Sequence, residues 1–125
     1  MTNPADGKEL KYKFDRCFWS HANTGGKKIF SNKDLFNDVG VELLNNSYSG
    51  FNSTIFAYGQ TGSGKSYSIE GSANDQGLLQ QVCNALFQKK AEIEQAGGEN
   101  KLMVSVSYLE IYNEKLKDLL DPKEK

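Results

Sequence analysis

The stretch that decides the fold is residues 54–69, T-I-F-A-Y-G-Q-T-G-S-G-K-S-Y-S-I. In it an apolar run breaks into a glycine-rich turn, and a Lys-Ser pair follows at once. The residues that fit G-x-x-x-x-G-K-[ST], the pattern of a phosphate-binding loop, are Gly59, Gly64, Lys65 and Ser66. Phosphate-binding loops of this pattern join a strand to a helix. We therefore expect a buried strand before the motif and a helix that begins near Lys65.

The residue types of this loop suit a phosphate. Glycine lets the backbone curl so that successive N–H groups point inward, where no Cβ obstructs an anion. The following helix adds the positive end of its dipole, and Lys65 brings a full charge to the β- and γ-phosphates. The Ser66 hydroxyl can ligate a magnesium ion. The sequence therefore predicts that a nucleoside triphosphate is held by Gly59, Gln60, Thr61, Gly62, Ser63, Gly64, Lys65 and Ser66.

The amino-acid composition narrows the kinds of protein and partner that remain possible. The 125 residues suit one domain at most, and 15 Lys+Arg against 16 Asp+Glu give no basic excess for nucleic acid or an anionic membrane. Cys17 and Cys83 lie in no C-x-x-C motif, which favours two reduced thiols over a disulfide or a zinc site. No signal-peptide core and no stretch of transmembrane length occurs. We therefore expect a cytoplasmic protein with no nucleic-acid or membrane partner.

The pattern of apolar residues before the loop predicts strand and helix in alternation. Residues 11–18 have aromatic side chains at even spacing, as a half-buried strand would, and residues 53–58 suit a strand buried on both faces. Between them, Ser31 or Asn32 should cap a helix that runs to about residue 49 and stops at Gly50. The apolar stripe of this helix is Leu35, Phe36, Val39, Leu43 and Leu44.

The chain after the loop continues this alternation. Residues 70–76 read as an interruption, and a second helix should run from Leu78 to the glycines at 97 and 98. Residues 102–112 alternate again and predict a strand, whereas residues 113–120 suit a helical turn. Strands that alternate with helices favour a layered α/β domain.

Three blocks of the sequence carry a family likeness. They are K-Y-K-F-D-R-C-F at 11–18, F-A-Y-G-Q-T-G-S-G-K-S-Y-S-I-E-G at 56–71, and V-S-V-S-Y-L-E-I-Y-N-E-K-L-K-D-L-L-D-P at 104–122. In this order they resemble the kinesin motor domain, within the P-loop NTPase superfamily. The stretch C-F-W-S-H, at 17–21, is similar to the kinesin-3 subgroup in particular.

The resemblance implies a fold, ligands and a partner. It implies a three-layer P-loop NTPase-type sheet flanked by helices, incomplete relative to the family, over residues 11–122. The polar residues 1–10 indicate a flexible segment, and the lysine-rich residues 123–125 indicate a frayed end. ATP or ADP with Mg²⁺ would occupy the loop, and the complete motor would bind microtubules of the cytoplasmic cytoskeleton. Tyr67, which follows the Lys-Ser pair, would lie near the adenine, where its ring either stacks on the base or only packs on the helix.

Some family elements have no counterpart in these residues. The N-x-x-S-S-R-S-H of switch I, the D-L-A-G-S-E of switch II and the main microtubule-binding face do not occur. No catalytic residue is therefore assigned in this chain, and we expect nucleotide binding with little or no hydrolysis. Strand edges and apolar helix faces without neighbours would favour self-association.

Two alternatives stand beside the ATP-binding part of a microtubule motor. One is a truncated nucleotide-binding or structural module without motor activity. The other is an unrelated P-loop kinase, which would need clustered arginines, whereas Arg16 is the only arginine. Among other polar residues, His21 suits a solvated loop. Glu110 and Glu114 fall in a strand and a turn, which argues against an acid/base pair.

Overall fold

A computed structural model describes residues 5–21, 25–26, 28–99 and 101–121. The chain divides into two compact units, Met1–Leu86 and Phe87–Lys125. Helices and strands follow in this order: α1 (Asn32–Leu35), a π-helical segment (Phe36–Gly40), α2 (Val41–Tyr48), α3 (Lys65–Ile69), β1 (Gly71–Ser72), β2 (Asp75–Gln76), α4 (Leu78–Gln95), β3 (Leu109–Tyr112) and β4 (Lys115–Asp118). Parts of the predicted terminal segments, residues 1–4 and 122–125, and of the turn after His21 lie outside the described residues.

The first helical stretch is bounded by the residues that the sequence indicates. The Ser31 hydroxyl accepts a hydrogen bond from the Asp34 N–H, and the Asp34 carboxylate accepts one from the Ser31 N–H, which makes a capping box. At the other end Gly50 has φ 84°, and the Phe51 N–H donates to the Asn46 carbonyl at 3.0 Å, as in a Schellman motif. The predicted cap and the predicted glycine stop are both confirmed.

The middle of this stretch departs from α-helical geometry. Over Phe36–Gly40 the backbone is π-helical, and the Val41 N–H donates to the Phe36 carbonyl, five residues earlier. Gly40 is buried there, and an added Cβ would lie 2.5 Å from Phe36 Cδ2 and 3.0 Å from Leu78 Cδ1. This close approach requires glycine. The apolar periodicity did not predict the extra residue, because it indicates which side chains are buried and not the spacing of the backbone hydrogen bonds.

Asp34 is held in its charged form by its neighbours. Lys28 Nζ lies 2.5 Å from Asp34 Oδ1, and the Ser31 N–H and hydroxyl both donate to Asp34 Oδ2. The bond from Lys28 first, and then those from Ser31, lower the pKa of Asp34 from 3.8 to about 2. Because the folded pKa is the lower one, this carboxylate stabilises the fold above about pH 4, and the stabilisation is lost as the pH falls toward about 2.

Asp34→Asn is expected to flatten the acid dependence of stability. The variant should be less stable than the unaltered chain above about pH 4, and the difference should shrink as the pH falls, because the amide does not titrate. Urea unfolding followed by far-ultraviolet circular dichroism across this range measures it. Glu70→Gln, at an exposed carboxylate, is the matched control. Parallel stability curves for the Asp34 variant and the unaltered chain would contradict the assignment.

The predicted strands are only partly formed. The sheets of the described residues are two antiparallel pairs, β1 with β2 and β3 with β4. The strand predictions for residues 11–18 and 53–58 are wrong here, and the one for residues 102–112 is right only from Leu109 onward. A strand needs a hydrogen-bonded neighbour, and an apolar pattern reports burial, not pairing. The described residues therefore form α/β structure with small sheets, and the three-layer sheet stays a proposal.

A hairpin replaces the predicted helical turn at residues 113–120. β3 and β4 pair with Leu109 opposite Asp118 and Tyr112 opposite Lys115. Asn113 and Glu114, between the strands, have φ 48° and 60°, as a two-residue type I′ turn requires. The predicted interruption at residues 70–76 likewise contains a short hairpin, β1–β2.

The remaining helices begin where the sequence indicates, but little of the chain is buried. α3 begins at Lys65, and α4 runs from Leu78 to Gln95, ahead of Gly97 at φ 68°. Leu44 and Leu78 are the buried hydrophobic residues of the described chain. Large apolar side chains just before the loop stay open to solvent, with Phe56 83% exposed and Tyr58 94% exposed.

Candidate functional site

The glycine-rich loop leads directly into α3. Gly64 precedes the helix with φ 94°, a left-handed conformation that glycine adopts without steric cost. At Gly59, with φ 153°, an added Cβ would lie 2.4 Å from the Ser63 hydroxyl oxygen. Ser63 therefore leaves no room for a side chain at the first glycine, and the last glycine turns the chain into the helix.

Several backbone N–H groups of the loop are available to a ligand. The Ser63 N–H donates to the Gln60 carbonyl at 3.1 Å. Within the described chain no acceptor is recorded for the N–H groups of Gly62, Gly64, Lys65 and Ser66. Unpaired N–H groups in succession suit an anion. Because α3 has only five residues, these groups, rather than the dipole of a long helix, supply the positive potential.

Lys65 folds back over the loop. Its Nζ donates to the Gly59 carbonyl and to the Gln60 carbonyl, both at 2.8 Å, and the residue is half-buried. An ammonium group has three donors, so one is left for an oxygen of a ligand. The cation thus stands inside the loop, beside the unpaired N–H groups.

Ser66 is exposed in the first turn of α3. A hydroxyl is a suitable ligand for Mg²⁺ when phosphate and water supply the other oxygens. No group of three or more His, Cys, Asp or Glu side chains that could hold a metal occurs in the described residues.

Tyr67 is fixed at both of its ends. Its hydroxyl donates to Asp75 Oδ2 at 2.5 Å, and its carbonyl accepts from Asn32 Nδ2 at 2.9 Å, while the residue stays 44% exposed. The hydrogen bond to Asp75 first, then burial and the charge of Asp75, raise the pKa of Tyr67. Neither Asn32 nor Asp75 was among the predicted site residues. No local motif marks them, because Asp75 contacts Tyr67 across a turn and Asn32 contacts it from another helix.

The other candidate residues belong to other elements of the chain. Cys17 and Cys83 are free and exposed. The His21 ring lies against the Trp19 ring, with the centroids 6.2 Å apart. Glu110 is in β3 and Glu114 is in the turn after it, so they do not share a helix face. In the described part of the chain, no helix is long and apolar enough to cross a bilayer.

A solved structure shares this fold. It is that of KIF14 with ADP in complex with a microtubule, which matches with a TM-score of 0.72 and 32% identity over 94% of this chain and 32% of that chain. The likeness, with a glycine loop that ends in Lys-Ser, defines the class as the P-loop NTPase fold.

The family follows from the sequences. A model of the kinesin motor domain matches residues 2–125. Human kinesin-like protein KIF13B is 44% identical over 119 residues, which are 95% of this chain and 6% of that protein. Kinesin-related protein 1 of Dictyostelium discoideum is 42% identical over 123 residues, 98% of this chain and 6% of that protein. The chain belongs to the kinesin motor domain family, as the sequence blocks predicted, and it spans a small part of these relatives.

Proposed function

We propose that this chain is the ATP-binding part of a microtubule motor. The observation that carries the proposal is the loop itself, in which Lys65 stands beside successive unpaired N–H groups. The N–H groups and Lys65 hold the phosphates of ATP or ADP, and Tyr67 lies at the base end. Family membership supports the nucleotide, since the KIF14 structure contains ADP. The bound nucleotide site then comprises Gly59, Gln60, Thr61, Gly62, Ser63, Gly64, Lys65, Ser66 and Tyr67.

Mg²⁺ accompanies the nucleotide in this proposal. When bound, the ion neutralises phosphate charge. Ser66 is the one residue of this chain that we assign to it, through its hydroxyl. The metal then contributes to affinity only together with a phosphate, because no acidic cluster of the described residues would hold it alone.

The microtubule is the partner that we propose for the complete motor, in the cytoplasm on the cytoskeleton. The KIF14 structure, in complex with a microtubule, supports this for the family. The alternative is a nucleotide-binding or structural module without motor activity, which the same loop would serve, since Lys65 and the unpaired N–H groups can hold phosphates without transferring them.

Titration calorimetry with ATP tests the proposed function. The unaltered chain should bind ATP, and Tyr67→Ala should weaken binding roughly fivefold, since it removes an aromatic face of the kind that stacks on a base. Tyr48→Ala is the matched control, because Tyr48 is also 44% exposed but lies in α2. If the unaltered chain binds no ATP, the proposed function fails. If Tyr67→Ala binds ATP as tightly as the unaltered chain, the proposed contact between Tyr67 and the base is wrong, and the phosphate loop is unaffected.

Self-association is a further expectation for this chain. Its large exposed apolar residues include Phe56, Tyr58 and Met103, which are 83%, 94% and 88% exposed. Burying such residues between copies is favourable by about 25 cal/mol per Å². Sedimentation velocity should therefore show the average mass rising with protein concentration. A monomer at every concentration, with one sharp thermal transition, would contradict this.

A further inference from the structure

Three residues beside the phosphate loop are hydrogen-bonded to one another in every pair. Tyr67 donates its hydroxyl to Asp75 Oδ2 at 2.5 Å. Asn32 donates its Nδ2 to the Tyr67 carbonyl at 2.9 Å and its N–H to Asp75 Oδ2 at 3.3 Å. We call these residues the Tyr67 cluster. They come from three elements: Asn32 begins α1, Tyr67 is in α3 and Asp75 begins β2.

The cluster fixes each of its members. Asn32 is only 4% exposed, and its side-chain amide also donates to the Asp75 carbonyl at 3.5 Å. The same Asp75 oxygen accepts from the Asn32 N–H and from the Tyr67 hydroxyl. The N–H of Asn32 in α1 therefore orients the Asp75 carboxylate oxygen that accepts the Tyr67 hydroxyl. Through it, the position of the Tyr67 ring is tied to two other elements.

The bond between Tyr67 and Asp75 is not needed to satisfy a buried hydroxyl. Tyr67 is 44% exposed, so water can serve its hydroxyl if Asp75 is removed. The effect of the bond is to restrict the ring. A side chain that is already held in one position loses less conformational entropy when a ligand binds against it.

We propose that Asp75 is a positioning residue for the base end of the nucleotide site. It holds the Tyr67 ring, two residues beyond Lys65, in the place where the base of a bound nucleotide meets it. The inference rests on the proposed function, and it assigns to the β1–β2 hairpin a part in nucleotide affinity. Its effect falls on the base and not on the phosphates, which are held by the loop.

The test compares ATP with inorganic tripolyphosphate, which has the phosphates and no base. Titration calorimetry is done on the unaltered chain, Asp75→Ala, Tyr67→Phe and the double variant. Each single variant should weaken ATP binding about fivefold, because the freed ring must then be ordered when the base binds. The double variant should be no weaker than either, because both changes remove the same bond. Tripolyphosphate affinity should stay within about twofold, since charge on the loop sets it.

Several outcomes would overturn the inference. They are equal loss of ATP and tripolyphosphate affinity, unchanged ATP affinity, or additive losses in the double variant. Tyr67→Phe keeps the ring and its packing, so it remains informative if Asp75→Ala does not fold. If the unaltered chain binds ATP and tripolyphosphate equally, this inference is overturned but the proposed function is not. One that binds neither overturns the proposed function and this inference with it.

Discussion

Lys65→Ala is expected to weaken the affinity of the chain for ATP at least about tenfold. The substitution removes the formal charge that the loop directs at the β- and γ-phosphates. In the structure the same ammonium group also donates to the carbonyls of Gly59 and Gln60, each at 2.8 Å. Alanine therefore removes a charge from the phosphates and two hydrogen bonds from the loop. Titration calorimetry on both proteins measures the difference.

The matched control for this result is Lys33→Ala. Lys33 is an exposed lysine of α1, so its loss changes the net charge equally and should leave ATP affinity within about twofold. Lys65→Arg separates charge from shape, because a planar guanidinium keeps the charge but not the compact ammonium that both carbonyls contact. Equal ATP affinity for Lys65→Ala and the unaltered chain would remove the assignment of the phosphate loop.

A protein of residues 1–125 is expected to release phosphate from ATP at the uncatalysed rate, with or without microtubules. In phosphoryl transfer a protein mainly positions groups and stabilises charge. Lys65, Ser66 and the loop N–H groups can hold the phosphates. The switch motifs that orient the attacking water and sense the γ-phosphate in kinesins do not occur in these residues. Phosphate release by purified chain is the measurement.

Contamination by another ATPase is the main risk of that assay. Lys65→Ala purified in parallel controls for it, because a contaminant is unaffected by a change in this chain. Phosphate release that microtubules accelerate and that Lys65→Ala abolishes would show that residues 1–125 suffice for turnover. It would also remove the alternative of a module without motor activity.

Local signals predicted the helix boundaries well. The capping box of Ser31 and Asp34 and the glycine stop at Gly50 depend on residues within a few positions of each other. The start of α3 at Lys65 likewise follows from Gly64 beside it. Such features can be read from a sequence because the chain brings their members together without any tertiary fold.

Features that join distant residues were not predicted. Whether residues 53–58 form a strand depends on a partner strand, which their own apolar pattern does not reveal. The turn at Asn113 and Glu114 was missed because glutamate seldom occupies a left-handed position, so the pair lacks the usual Asn-Gly signal. In the site, the loop follows from its motif. Asn32 reaches Tyr67 across 35 residues, and no pattern announces that bond.

The π segment marks a place where the chain can change length. Removing the exposed Asn37 would leave the Val41 N–H with the same acceptor, the Phe36 carbonyl, now at the spacing of an α-helix. The faces of α1 and α2 would then keep their directions. A deletion within α2 would instead rotate the preceding side chains by about 100° relative to the following ones. Among homologous chains, single-residue gaps in this helix should therefore accumulate at Phe36–Gly40 and be rare on either side of it.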